Sequence, residues 1–310
     1  MKIAFFWTWE FSRNILEQIL KNKNIKVDLV VSQADKPVWR KKEILATPIK
    51  TLALENNIKV LQPEKLKNNT IFFKELEWFD FIIVVAYWKI VPKEVLTAAK
   101  YWCINIHGSI LPNYRWASPI QEAIKNWDKQ TWLTIMYMSE AMDEWDILAI
   151  KKVQIEKWDK TLDIFNKFEQ IWVELLINTL NWIIKWVVKW QKQNNIKASY
   201  CSKILKQDWE INFLKDSWKD IYNKFKAYYP WPGIYTYYNE KKLNIEDCEL
   251  QKYTENWEPW KILKIDKKTF WIICLDQKIL ILKKIKLEWK KSMDILSFVN
   301  WNKDFLEYKF

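Results

Sequence analysis

Glycine is almost absent from this chain, which has two glycines among its 310 residues. Because glycine takes a positive φ angle without a steric clash, tight turns depend on it more than on any other residue. At the usual frequency of about 7%, a chain of this length would contain roughly 22. It contains 23 tryptophans instead. We therefore expect many turns of the fold to lie where the sequence has tryptophan.

Several tryptophans stand in positions that favour glycine. Trp7 and Trp9 lie where a short apolar strand leads into residues with helical apolar spacing, at a strand-to-helix turn. Trp127, Trp209 and Trp301 each lie between two Asn, Asp or Glu residues, and these become turn sequences if the tryptophan is replaced by glycine.

The composition indicates that UGA codons meaning glycine were translated as tryptophan. Lysine greatly outnumbers arginine, and isoleucine and asparagine are abundant, as in translations of AT-rich genes. The alternative is a protein that is truly rich in tryptophan, and UGG codons in the gene would favour it. The informative positions are Trp7, Trp9, Trp88, Trp116 and Trp145.

Length, charge and cysteine usage limit the class of protein. With half of its residues hydrophobic, the chain can bury a sizeable core, and we expect two domains. It has no apolar run long enough to cross a membrane and no signal-peptide pattern, so we expect a cytoplasmic protein without a membrane partner. The net charge of +12 suits an anionic partner, although AT-driven lysine usage inflates it. The scattered cysteines, which suggest neither zinc nor disulfides, are Cys103, Cys201, Cys248 and Cys274.

Strand and helix signals alternate along the first 190 residues. This order predicts an α/β domain with a Rossmann-like parallel sheet and helices on both faces. Ligands of such sheets bind beyond the carboxyl ends of the strands. The expected strands are Ile3–Phe6, Val27–Val31, Val60–Leu61, Phe81–Val85, Cys103–Ile106 and Thr134–Met138, and the expected helices cover about 11–22, 48–56, 70–77, 93–99, 117–126 and 160–190.

The pattern changes after a polar stretch, which we interpret as a linker over 191–204. Short strands then alternate with turns, and this predicts a small β-barrel of the oligonucleotide-binding (OB) kind. The clearest strands are Lys261–Ile265, Phe270–Leu275 and Ile279–Ile285. We therefore expect domains at 1–190 and 205–310.

The residues suited to catalysis concentrate in C-I-N-I-H-G-S-I-L-P, residues 103–112. Asn105 and His107 are two residues apart on a predicted strand, so their side chains project from the same face near its carboxyl end. A lone histidine is more often structural than catalytic, but the following G-S-I-L-P predicts a turn that exposes the strand end.

Asp143 lies in a second polar cluster, A-M-D-E-W-D-I at 141–147. This cluster follows a predicted strand and becomes a D-x-G-D turn if Trp145 is glycine. A solvated surface turn is the alternative interpretation for the aspartate, and taken alone it is the preferred one.

Together these stretches resemble the 10-formyltetrahydrofolate-dependent formyltransferases, and in particular those that formylate methionyl-tRNA. The resemblance spans nearly all 310 residues and is most specific in N-I-H-G-S-I-L-P-N-Y-R-W-A-S-P-I-Q, T-W-L-T-I-M-Y-M and M-D-E-W-D-I. Further similar stretches are S-Q-A-D-K-P-V-W-R-K-K, V-V-A-Y-W-K and Y-Y-P-W-P-G. The family's glycines in these stretches are tryptophan here, except at Gly108 and Gly233, which agrees with recoding. Trp231 is the tryptophan of the family pattern, and S-I-L-P departs from the family's S-L-L-P by one residue.

The resemblance implies transfer of a formyl group from 10-formyltetrahydrofolate to the amino group of initiator methionyl-tRNA. Attack of an amine on the formyl carbonyl gives an oxyanion, which needs a preorganised donor. By resemblance Asn105 is that donor, His107 assists proton transfer or acts as a second donor, and Asp143 holds and polarises His107. No metal is needed, because the formyl donor is already activated.

The resemblance also implies where the folate binds. The loop at 87–91 presents its backbone to the pterin ring, the S-I-L-P turn belongs to the same site, and the loop at 143–146 closes over the ring. The expected folate-binding residues are Tyr87, Trp88, Lys89, Ile90, Val91, Ser109, Ile110, Leu111, Pro112 and Asp146.

A long irregular insertion at 33–48 and a lysine-rich surface at 261–291 are expected to bind the tRNA. In the family the insertion enters the acceptor stem, and Arg40 offers a planar fork that pairs bidentately with phosphate or guanine, unlike lysine. The stretch 261–291 has ten Lys against three acids. Solvated basic surfaces are the alternative for both segments. The expected tRNA-binding residues are Lys36, Arg40, Lys41, Lys42, Lys283, Lys284, Lys290 and Lys291.

Two other functions remain open. A formyltransferase acting on an amino sugar nucleotide or another small amine would share the catalytic residues, whereas a non-catalytic RNA-binding module would not need them. A small-amine enzyme has no use for a basic insertion or a basic barrel. We therefore expect initiator methionyl-tRNA and folate as partners, with a monomer as the default state.

Overall fold

The computed structural model describes residues 1–6, 12–37, 44–87, 89–251, 262–264, 269–274, 276 and 278–308. These residues form two compact units. The first comprises Met1–Pro119, Gln130–Gln154 and Phe165–Cys201, and the second comprises Ile120–Lys129, Ile155–Ile164 and Ser202–Phe310.

Eleven strands and six α-helices precede residue 202 in the described part of the chain. The strands are β1 (Lys2–Phe6), β2 (Lys26–Val31), β3 (Lys36–Pro37), β4 (Ile44–Leu45), β5 (Lys59–Leu61), β6 (Phe81–Val84), β7 (Cys103–His107), β8 (Arg115–Trp116), β9 (Gln130–Tyr137), β10 (Ile147–Gln154) and β11 (Tyr200–Cys201). The helices are α1 (Ser12–Leu20), α2 (Pro48–Glu55), α3 (Thr70–Leu76), α4 (Lys93–Leu96), α5 (Pro119–Lys125) and α6 (Thr161–Ile184).

A seven-stranded sheet forms the centre of the first unit, as far as its residues are described, in the order β10-β9-β7-β6-β1-β2-β5. The strands β1, β2, β5, β6 and β7 run parallel. The buried apolar runs of β1 and β6 are typical of strands that are covered on both faces. The expected α/β sheet is confirmed. The sheet is not fully parallel, because β9 and the unpredicted β10 add an antiparallel edge. The exposed centre of β10, Ile150 to Lys152, lacks the apolar run of a buried strand.

Helix α6 follows directly from its apolar spacing. Phe168, Trp172, Leu176 and Leu180 recur every four residues and are all buried, which places them on one face of the helix. None of the helices in the described residues combines the length and the apolar character needed to cross a membrane.

The second unit is built on an antiparallel sheet, as predicted. Its strands are β12 (Ile234–Tyr238), β13 (Lys241–Gln251), β14 (Ile262–Lys264), β15 (Phe270–Ile273), β16 (Ile279–Leu287) and β17 (Met293–Asp294), and its further helices are α7 (Trp218–Ala227) and α8 (Ile295–Trp301). In the described residues the strand order is β12-β13-β16-β15-β14, with β17 paired to β16. Helix α7 was not predicted, although Ser217 caps it by accepting a hydrogen bond from the backbone N–H of Asp220.

Within the described residues, five tryptophans have the positive φ angle that favours glycine. Their φ angles are +69° at Trp102, +84° at Trp116, +60° at Trp127, +58° at Trp186 and +63° at Trp289. Of the other two expected turn positions, Trp209 ends a short 3-10 helix and Trp301 ends α8. Among the tryptophans that we singled out in the sequence, Trp7, Trp9 and Trp88 lie outside the described residues.

Candidate active site

Asn105 and His107 lie at the carboxyl end of β7, between β6 and β9 in the sheet. Asn105 is opposite Val84 in the parallel pair with β6, and His107 is opposite Thr134 in the antiparallel pair with β9. His107 is 6% exposed, and Asn105 is half-buried. The two side chains lie on one face of the strand, at the edge where ligands of α/β sheets bind.

Asp143 reaches this pair from the loop between β9 and β10. Nδ2 of Asn105 donates to Oδ1 of Asp143 over 3.3 Å, and Nδ1 of His107 lies 3.7 Å from Oδ2. The backbone N–H of Trp116 donates to the same Oδ2 over 2.9 Å. The carboxylate therefore points inward and is not a solvated surface acid. The residue of this turn with a left-handed backbone is Asp143 itself, with φ of +57°.

The proton on a neutral His107 can be assigned from its neighbours. Nε2 lies 2.9 Å from the carbonyl oxygen of Tyr114, and because a carbonyl oxygen only accepts, Nε2 must carry the proton. Nδ1 is then unprotonated and faces Asp143. Nδ1 is therefore the ring nitrogen with a free lone pair, which a group that carries a proton during a reaction requires.

The side-chain amide of Asn105 has two hydrogens, and Asp143 accepts one of them. This bond fixes the plane of the amide, so the second hydrogen has a defined direction. A neutral donor held in this way can stabilise a developing oxyanion. The cluster thus combines an oxyanion donor with a group that can move a proton.

Arg115 and Gln193 were not expected near this site. Arg115 is fully buried, and its Nη2 donates to side-chain oxygens of Gln193 and Asn195 over 2.8 and 2.7 Å. Nε2 of Gln193 donates to the carbonyl oxygens of Asp143 and Trp145. One sign could have indicated Arg115, because it is one of three arginines in a lysine-rich chain. Nothing in the local sequence pattern indicates Gln193.

The predicted folate loop follows β6 and therefore lies at the same edge of the sheet as the end of β7. The ring of Tyr87 packs on Phe6 with centroids 5.6 Å apart, and burial raises the pKa of its hydroxyl to about 12. Nζ of Lys89 donates to the carbonyl oxygen of Pro63 over 2.7 Å, and Val91 is buried. These three side chains are engaged within the protein, which leaves the backbone and the exposed side chain of Ile90 as the parts of the loop suited to contact a pterin.

The S-I-L-P turn is held by the side chain of Ser109 and by contacts with β9. Oγ of Ser109 donates to the carbonyl oxygen of Asn113 over 2.6 Å, and the carbonyl oxygen of Ser109 accepts from Oγ1 of Thr134 over 2.5 Å. Leu111 belongs to a small apolar cluster with Met136. The other predicted folate residues, all at least partly exposed, are Ile90, Ile110, Pro112 and Asp146, while Trp88 lies outside the described residues.

The base of the 33–48 insertion is a short hairpin of β3 and β4, where we had predicted an irregular segment. Nζ of Lys50 lies 2.5 Å from Oδ2 of Asp35, and Nε2 of Gln62 donates to Oδ1 over 2.8 Å. The hydrogen bond from Gln62 and then that from Lys50 lower the pKa of Asp35, so the base of the hairpin is pinned by a charged group. The predicted RNA-binding side chains that lie outside the described part are Lys36, Arg40, Lys41 and Lys42.

The predicted basic surface of the second unit contains two kinds of lysine. Lys283 forms an ion pair with Glu249, and Lys284 lies 3.9 Å from Glu246. The other two, exposed in the turn after β16, are Lys290 and Lys291. The lysines on the strand therefore have acidic neighbours that compete with an RNA phosphate.

No three His, Cys, Asp or Glu side chains gather as metal ligands in the described part of the chain. The cysteines are buried and reduced, and burial raises the pKa of Cys103, Cys248 and Cys274. Such thiols are poor nucleophiles. That the reaction uses no metal stays a prediction.

An amide donor, an imidazole and a loop carboxylate meet at the edge of an α/β sheet where ligands bind, and this set of groups suits the transfer of an acyl-type group. The family model for formyl transferase matches residues 1–180, and the model for the formyl transferase C-terminal domain matches residues 203–303. The chain belongs to the formyl transferase family. The predicted family is thereby confirmed.

Similar proteins cover almost the whole chain. A methionyl-tRNA formyltransferase from Caldicellulosiruptor saccharolyticus is 39% identical over 304 residues, which cover 97% of this chain and 96% of that protein. The solved methionyl-tRNA formyltransferase from Clostridium thermocellum has a TM-score of 0.57 at 16% identity, over 81% of this chain and 94% of that chain. An N-formyltransferase from Helicobacter canadensis, in complex with folinic acid and dTDP-3-aminofucose, has a TM-score of 0.62 at 20% identity, over 91% and 98%. The two structures share the fold.

Proposed function

We propose that this chain transfers the formyl group of 10-formyltetrahydrofolate to the amino group of methionyl-tRNA, with the initiator tRNA as its substrate. Relatives named methionyl-tRNA formyltransferase, at 36–39% identity and matched over nearly their whole length, support this activity. The observation that carries the proposal is the cluster of Asn105, His107 and Asp143 at the end of β7, because it holds a donor and a proton carrier side by side.

The chemistry assigns one task to each member of the cluster. The amine attacks the formyl carbon, a new C–N bond forms, and the carbonyl oxygen becomes an oxyanion that the second amide hydrogen of Asn105 stabilises. Nδ1 of His107 takes the proton that the amine loses. As the oxyanion returns to a carbonyl, the bond between the formyl carbon and N10 of the folate breaks, and the proton is delivered to N10. Asp143 stabilises the imidazolium between the two transfers. The formyl donor is already activated, so no metal enters the proposal.

The two substrates bind through different segments. The backbone at 87–91 pairs with the pterin edge, and the loop that contains Asp146 covers the ring. The insertion at 33–48 and the lysines of the second unit bind the tRNA. The lysines attract its phosphates by charge, and Arg40 pairs bidentately with a phosphate or a guanine edge.

The backbone angles support a second proposal, that glycine stands in the cell at the tryptophans with positive φ. A bulky residue in this region stores strain of about 1–3 kcal/mol, which glycine relieves. We expect glycine at 102, 116, 127, 186 and 289 to raise the melting temperature, measured by circular dichroism. Trp231→Gly, at the tryptophan of the family pattern, should give no such gain. A lower melting temperature in the glycine-restored protein would contradict recoding.

The function is tested by incubating the glycine-restored protein with 10-formyltetrahydrofolate and either charged initiator tRNA or an amino sugar nucleotide. We expect formylmethionyl-tRNA as the product, detected after mild deacylation and chromatography. An Asn105→Ala protein serves as the matched control for contaminating activity. Formylation of the amino sugar nucleotide, with none of the tRNA, would overturn the proposal in favour of the small-amine alternative.

A further inference from the structure

Gln193 bridges both sides of the turn that carries Asp143. Its Nε2 donates to the carbonyl oxygen of Asp143 over 2.9 Å and to that of Trp145 over 2.6 Å. One amide group thus holds two carbonyls of the catalytic loop. Gln193 lies in the polar stretch that we had interpreted as a linker.

The two hydrogen bonds hold a turn in which Asp143 has a left-handed backbone, with φ of +57°. This conformation is uncommon outside glycine, although aspartate adopts it more readily than most residues, and contacts with neighbouring groups stabilise it. The carboxylate contacts Asn105, His107 and the backbone of Trp116. A small rotation of the Asp143 backbone would change all three contacts together.

Arg115 sets the orientation of the Gln193 amide. Its Nε and Nη2 both donate to Oε1 of Gln193, over 3.2 and 2.8 Å. A guanidinium has donors only, so the amide oxygen must face Arg115 and the NH2 group must face the two carbonyls. Nη1 of Arg115 also lies 3.4 Å from Oε1 of Glu144, in the same loop. The buried charge and the amide therefore form one connected support.

Backbone pairing fixes the segment that bears Gln193. The strand β11 pairs in parallel with β8, with Tyr200 opposite Arg115. Oγ of Ser199 accepts from the backbone N–H of Tyr114, whose carbonyl oxygen accepts from His107. The residues after Gln193 are thus tied to the loop that orients the histidine.

We infer that Gln193 is a positioning residue for Asp143 and that Arg115 acts through it. This inference rests on the proposed function for its catalytic consequence. Gln193 contacts neither Asn105 nor His107, so its effect on the rate passes through the backbone of Asp143. A misplacement of about 1 Å at a catalytic group can lower a rate about 10²-fold.

The test is the Gln193→Glu variant of the full chain. Glutamate keeps the size and the partner of Arg115, but it places a carboxylate oxygen against two carbonyl oxygens and removes both hydrogen bonds. We expect kcat for formyl transfer to fall about 10²-fold, with the KM for folate within a few-fold of the parent. Gln191→Glu is the matched control, since Gln191 is exposed and pairs with Ile147 through its backbone. It should retain the parent rate.

Two further measurements separate positioning from general stability. In an Asp143→Asn background the Gln193→Glu change should cause no additional loss of kcat, because residues that act through one group are not additive. His107 is the only histidine, so its imidazole ¹⁵N resonances can be observed singly. They should move in Gln193→Glu and in Arg115→Lys and stay in place in Gln191→Glu.

Additive rate losses, or resonances of His107 that do not move in Gln193→Glu, would overturn the inference. A parent protein that formylates no amine would instead refute the proposed function. The resonances of His107 would still decide the positioning role, because they need no substrate.

Discussion

The cluster at the end of β7 and the lysines around β16 use polar groups in opposite ways. Asn105, His107 and Asp143 are held by backbone and side-chain partners and are largely shielded from water. Lys283 and Lys284 are on the surface, and the ammonium groups of their flexible side chains lie near Glu249 and Glu246. Stabilising an oxyanion requires a fixed direction, whereas attracting a polyanion requires only charge within reach. Single substitutions should therefore have large effects in the first region and small effects in the second.

The largest effect is expected from Asn105→Ala. Loss of one oxyanion donor lowers kcat about 10²–10³-fold, while the folate KM stays close to that of the parent. Asn113→Ala is the control, because Asn113 supports the neighbouring turn through its backbone carbonyl. Single-turnover rates with excess protein measure the chemical step. An Asn105→Ala rate within a few-fold of the parent would mean that another group holds the oxyanion.

Asp143→Asn should have the second-largest effect. We expect a loss of about 10²-fold in kcat, because His107 loses the negatively charged neighbour that assists its proton transfer. The amide keeps the size of the carboxylate, so circular dichroism should show an unchanged fold. Glu140→Gln is the control in the same loop for the loss of one negative charge, because Glu140 is exposed. Equal rates in the two variants would remove the distinction between Asp143 and a surface acid.

Arg40→Ala is expected to lower kcat/KM for the tRNA by roughly tenfold or more, since a bidentate contact contributes about 1–3 kcal/mol. Folate binding, measured by fluorescence quenching, should not change. Arg40→Lys keeps the charge and loses the fork, so it distinguishes geometry from attraction. If lysine restores the full rate, this insertion acts by charge alone and resembles the second region.

The smallest effect is expected from the lysines of the second unit. Each phosphate contact contributes about 0.9 to the slope of log K against log salt. Replacing Lys290 and Lys291 with glutamine should reduce this slope more than replacing Lys283 and Lys284, which are engaged with glutamates. The tRNA preference should stay the same, since phosphate contacts do not specify sequence. The reverse order of slopes would show that the ion pairs open on RNA.

Much of the fold could be predicted because its signals are local. The continuous apolar runs of β1 and β6 indicate buried strands, and the four-residue spacing of apolar side chains in α6 indicates a helix. The exposed centre of β10 carries no such period. Helix α7 has buried Ile221 and Phe225 four residues apart, but they lie among lysines and aspartates in a short segment, where the pattern is weak.

The site divides in the same way. The pairing of Asn105 with His107 follows from alternation along one strand. The contacts of Asp143 depend on how a loop folds back onto that strand, which no local period describes. Gln193 is 50 residues away along the chain from the carbonyl that it binds. Its role could be found only after the fold had brought the segments together.

The pairing of β11 with β8 has a consequence for where this protein can be cut. A fragment that stops at the end of α6 retains Asn105, His107 and Asp143 but lacks both Gln193 and the strand that pairs beside Arg115. A chain truncated near residue 187 should therefore lose the support of Asp143, although it keeps every strand of the seven-stranded sheet. The shortest piece that can keep the catalytic geometry ends after Cys201, so the chemistry of the amino-terminal half reaches beyond the part of the chain that forms its sheet.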